Sequence, residues 1–160
     1  MEWLVFGAFL LISSGEDLRR KAVDVRVYLI FGLFAVGLAG WRAVSASSGG
    51  WELAVDACIG AALGAGLLAV SRVSAGGVGV GDGLFFCISG VYLGFWNNLL
   101  LLVLSSLCCG LFCLGYYVWG RLRQGRNWGK KTVPFLAFTA IPGIWMTAEA
   151  VGRMWEARGG

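Results

Sequence analysis

The chain contains no histidine. That excludes Ser-His-Asp triads, His-ligated metals and imidazole acid–base chemistry. Charge is scarce: Asp, Glu, Lys and Arg make up 14% of 160 residues, against roughly a quarter in a soluble domain. Five cysteines (Cys58, Cys87, Cys108, Cys109, Cys113) form no CxxC pair, and all stand inside apolar segments. They read as small packing residues rather than disulfide partners or zinc ligands. The N-terminus "MEWLVFGAFLLISSGEDLRR" has no basic leading region, its first charge being Glu2. It reads as a retained first span rather than a removable signal.

What remains is apolar. Hydrophobic residues make up 58% of the chain, in six segments at roughly 2–15, 26–44, 52–71, 83–96, 98–119 and 132–151. These runs are apolar all round, without the period-2 alternation of a barrel strand. An all-α polytopic membrane protein of about six transmembrane helices, one domain over residues 1–160, is expected. "SASSGG" (45–50), "WNN" (96–98) and "GRLRQGRNWGKK" (120–131) are the expected connections. Pro134 should fall in the first turn of the last span, and Pro142 should kink it. Gly60 and Gly64, at i and i+4, should allow close helix packing, within the chain or in a homo-oligomer. Seven of the eight tryptophans (Trp3, Trp41, Trp51, Trp96, Trp119, Trp128, Trp155) stand near span ends, as in an interfacial aromatic belt.

Ten of the 13 basic residues follow spans one, three and five: Arg19, Arg20, Lys21, Arg26, Arg72, Arg121, Arg123, Arg126, Lys130 and Lys131. The positive-inside rule puts these connections in the cytoplasm and both termini outside. The basic balance therefore reflects topology, with some contact to anionic membrane lipid, and not nucleic-acid binding.

Within that frame stands "SAGGVGVGDGLFF" (74–86), which keeps Asp82 behind a glycine-rich run. Asp17 follows span one, and two spans separate it from Asp82, so both acids emerge at one face. The adjoining segments are short. Trp3–Ser14 is 12 residues and Leu84–Trp96 is 13, about 18 and 20 Å of helix against a hydrocarbon core of about 30 Å. Both carboxylates should therefore be partly desolvated. Two such acids sharing one proton can hydrolyse a peptide: one takes a proton from water while the other polarises the carbonyl. Gly79 and Gly81 would then let substrate backbone approach in extended form. The residues alone leave a plainer alternative open, in which Asp82 is a turn or cap residue and Asp17 a cap paired with nearby arginines. Asp24, seven residues after Asp17, competes for the first role if the segment is helical. Asp56 reads as interfacial or as a partner of Arg42, and Glu52 and Glu149 likewise as structural.

Three stretches together resemble the prepilin peptidase (type IV leader peptidase) family. "SGEDLRRKAVD" is similar to its first catalytic segment, "GVGD" (79–82) to its Gly-x-Gly-Asp motif, and "KKTVPFLAFTAIPG" (130–143) to the opening of its last helix. The resemblance implies an aspartic endopeptidase of the bacterial or archaeal cytoplasmic membrane. It would use Asp17 and Asp82 as the catalytic pair, with Gly79 and Gly81 shaping the substrate-binding loop. It also implies no cofactor or metal, and prepilin- or pseudopilin-like substrates with short basic leaders. The sequence departs from the family at Val23-Asp24-Val25, where many members have Ile-Pro-Asn, and at Leu84, where many have Lys. The short stretch after span one predicts a monofunctional form without a methyltransferase domain. Two rivals are a different Gly-x-Gly-Asp intramembrane protease and a non-enzymatic transporter or secretion scaffold with Asp82 as an ion or proton site.

Overall fold

A computed structural model describes residues 2–20, 24–46, 49–74, 79–122 and 134–159. They form five helices: α1 (Glu2–Arg20), α2 (Val25–Ser45), α3 (Gly50–Val73), α4 (Val80–Leu122) and α5 (Phe135–Gly159). Among the described residues, α2, α3, α4 and α5 are long and apolar enough to cross a membrane. In lipid a backbone must satisfy its own polar groups, and a helix does so locally. Large apolar side chains point outward throughout, Leu33 and Leu111 among them. A water-soluble monomer does not expose apolar surface on that scale.

Helix α1 buries Phe6, Phe9, Leu10, Ser13, Ser14 and Asp17. Their spacing of three and four residues draws one stripe along the helix. Its polar end belongs to that same buried face, so α1 runs past the expected span end at residue 15. Helix α5 answers with Leu136, Thr139, Met146 and Ala150, and continues through Pro142. Pro134 immediately precedes α5, rather than lying in its first turn. At Gly143 a Cβ would run into the Leu10 side chain, so α1 and α5 touch closely at that glycine.

The expected fourth and fifth segments are one helical element broken at Gly94, which has φ 72° and ψ −178°. Trp96–Asn98, expected to form the turn, are helical. The two arms fold back on each other. Asn98 Nδ2 donates to Phe86 O at 2.9 Å, although 12 residues of straight helix would separate them by about 18 Å. The same amide donates to Gly60 O at 3.1 Å, and Ser89 Oγ donates to Asn98 Oδ1 at 2.7 Å. One buried side chain thus joins α3 to both arms.

Asp56 accepts a bond from Phe95 N–H at 3.1 Å. It therefore caps the second arm where helical geometry resumes. Arg42 pairs instead with Glu2, Nε to Oε1 2.8 Å, which corrects the expected Asp56–Arg42 pairing. The small residues of α3 pack inside the chain. A Cβ on Gly60 would strike Gly90 backbone, and one on Gly64 would strike Phe86 and Cys87 backbone. Glu149 lies near Arg153 at 3.8 Å on the surface of α5. All five cysteines are free. Trp128 and the basic connection 123–131 lie outside the described residues.

Candidate active site

Four helix ends meet at one end of the bundle. Asp17 stands in the last turn of α1, Tyr28 in the first turn of α2, Asp82 in the first turn of α4 and Leu136 in the first turn of α5. The start of α5 meets α1 through a two-way clamp on the backbone of one residue. Leu136 N–H donates to Asp17 Oδ2 at 3.1 Å, and Ser14 Oγ donates to Leu136 O at 2.9 Å. Ala137 N–H also bonds the Asp17 carboxylate. The open N–H groups of a helix N-terminus and its dipole both favour an anion there. Burial of the same carboxyl acts oppositely, because it takes the charged form out of water.

Asp82 faces the same space, within the electrostatic field of Asp17. The first turn of α4 is closed by Asp82 N–H donating to Gly79 O at 3.1 Å. The expected extended surface along Gly79–Gly81 is therefore helix from Val80 onward. Neither glycine has a positive φ; among the described residues only Gly49 and Gly94 do. The two motif glycines give room instead. A Cβ on Gly79 would sit 2.9 Å from Asp82 Oδ2, and one on Gly81 would sit 3.3 Å from the Tyr28 hydroxyl. That hydroxyl donates to Gly81 O at 3.0 Å.

Asp24 is not two turns further along the α1 helix. It is extended (φ −64°, ψ 131°) and caps α2, its side chain accepting from Arg26 N–H at 3.0 Å. Its own N–H donates to Glu16 Oε2 at 2.9 Å. The structure thus brings Asp17 and Asp82 together and occupies Asp24 as a cap. Sequence reasoning missed Tyr28, Ser14 and the backbone of Leu136. The only local signals were a tyrosine in the first turn of an apolar span and a serine three residues before an acid. Among the described residues, no three His, Cys, Asp or Glu side chains converge as a metal site.

This architecture is that of a multi-pass helical membrane protein with two acids, the buried Asp17 and the half-buried Asp82, at one end of its bundle. The model of the type IV leader peptidase family matches residues 4–114, and the chain belongs to that family, so it is a membrane protease. The match ends inside α4, and α5, whose first turn holds Asp17, lies beyond it. No curated protein and no solved structure gives a match. Only residues 21–24 lie between α1 and α2, which leaves no room there for an inserted methyltransferase domain.

Proposed function

We propose that the protein is an aspartic endopeptidase that removes short basic leaders from prepilin-like precursors at the cytoplasmic face of the membrane, with Asp17 and Asp82 as its catalytic pair. The observation that carries this reading is the convergence of these two acids, from α1 and α4, into one electrostatic field.

The backbone N–H groups of Leu136 and Ala137 stabilise negative charge on Asp17. Asp17 is accordingly the base that takes a proton from the attacking water. Asp82 then carries the shared proton and donates it toward the carbonyl oxygen of the scissile bond. As the tetrahedral intermediate collapses, the C–N bond breaks, the proton taken by Asp17 passes to the leaving amine, and a hydroxyl of the intermediate returns its proton to Asp82, which restores the pair. Gly79 and Gly81 keep the approach to Asp82 free of side chains, so substrate backbone can reach it.

Read as separate spans, the two arms of α4 make six crossings with both termini outside. The first arm, 80–93, is about 21 Å long. That is shorter than the hydrocarbon core, so the pair sits below headgroup level. The basic connections, by the positive-inside rule, put this end in the cytoplasm of a bacterium or archaeon.

The test is co-expression with a tagged prepilin from the same genome, read by gel shift and N-terminal sequencing. Wild type should release the leader. Asp17→Asn and Asp82→Asn should each abolish release while still accumulating in the membrane. Release that survives both substitutions would end the acid-pair reading, and Asp82 would then be tested for proton flux.

A further inference from the structure

Tyr28 is buried at 6% exposure although it opens an apolar helix. Its ring meets Phe9 edge-on at 6.3 Å, and Phe9 stacks on Phe85 at 5.0 Å and 13°. Aromatic groups from α1, α2 and α4 therefore lock the ring in place. Its hydroxyl donates to Gly81 O at 3.0 Å, the carbonyl of the peptide bond that leads into Asp82. Asp82, Asp17 and Glu16 all act on that hydroxyl electrostatically, so it stands among the acids and not merely near the loop. Gly81 is the residue that admits it, because a Cβ there would come within 3.3 Å of the hydroxyl oxygen.

We infer that Tyr28 is a positioning residue of the active site, whose hydroxyl bond to Gly81 orients the Asp82 carboxyl toward Asp17. The inference rests on the acid-pair reading above. The hydroxyl has no lone task in holding the helices together, since α2 and α4 share a second bond of the same kind. Tyr92 O–H donates to Phe31 O at 2.9 Å, outside the field of the pair. The two tyrosines are therefore a matched set, one beside the acids and one remote from them.

The groups facing the pair are Glu16 and Asp17 on α1, Tyr28 on α2, and Asp82 and Cys109 on the two arms of α4. A proton-sharing pair gives a bell-shaped profile whose alkaline limb marks loss of the shared proton. Weaker coupling between the carboxylates moves that limb to lower pH.

The experiment measures leader cleavage by the full chain in membranes across pH for wild type, Tyr28→Phe, Tyr92→Phe and Asp82→Asn. Tyr28→Phe should lower kcat roughly ten- to a hundredfold with KM unchanged, and its alkaline limb should retreat. Tyr92→Phe should keep the wild-type profile. Equal kcat and equal profiles for the two tyrosine variants would defeat the inference while leaving the acid pair standing. Cleavage by Asp82→Asn would defeat both. If Tyr28→Phe fails to accumulate, a fluorotyrosine incorporated at position 28 keeps the ring packing and lowers the phenol pKa. The phenol, still protonated, then donates more strongly to Gly81 O, so kcat should shift with KM unchanged. An unmoved kcat would refute the positioning role.

Discussion

The backbone N–H of Leu136 donates to the carboxylate of Asp17 across 119 residues of chain. An acid from the end of one helix thereby caps the start of another. A site acid held this way depends on α5 docking, not only on its own helix.

Ser14 holds the carbonyl of the same residue. Replacing Ser14 with alanine removes one buried bond from a carbonyl that keeps its partner inside α5, at a cost of about 0.5–1.5 kcal/mol. Thermal unfolding in detergent should show that loss. Cleavage should fall with KM unchanged, because the clamp orients Asp17 and does not meet substrate.

The motif glycines should differ from other glycines in α3 and α4. Gly79→Ala pushes a methyl against the Asp82 carboxylate, and Gly81→Ala pushes one against the Tyr28 hydroxyl. Both should cut cleavage at least tenfold, on the same geometric grounds that make a misplacement of about 1 Å costly. Gly66→Ala meets nothing within 4 Å. It should leave cleavage intact and add about 0.5–1 kcal/mol of helix stability. Gly64→Ala drives Cβ into α4 backbone and should abolish accumulation.

The reversal at Gly94 gives a purely structural prediction. Its φ of 72° disfavours any side chain, and a Cβ would overlap the Asp56 carboxylate. Gly94→Ala should cost about 1–3 kcal/mol, and Asp56→Ala about 1 kcal/mol through the lost cap. Both should lower yield in membranes while the kcat of the surviving enzyme stays at the wild-type value.

Much of this was legible from local signals. Apolar runs bounded by charge require helices in a membrane, because no other local structure satisfies the backbone there. The placement of two acids two spans apart, one behind Gly-x-Gly, pointed to the pair that the structure brings together. The Gly60–Gly64 spacing pointed to close packing. Where the signal was ambiguous, tertiary context chose. "WNN" is polar enough to look like a turn, but the chain breaks at Gly94, where Asp56 from α3 waits to cap the restart. Asp24 has the spacing of a same-face acid only if the helix continues, and instead it starts a new one. Arg42 found Glu2, not Asp56. The N–H groups on Asp17 and the hydroxyl behind Asp82 are equally beyond reach of pattern. Periodicity and hydropathy are local properties of a helix, whereas Leu136, Tyr28 and the two acids become neighbours only when separate helices pack end beside end.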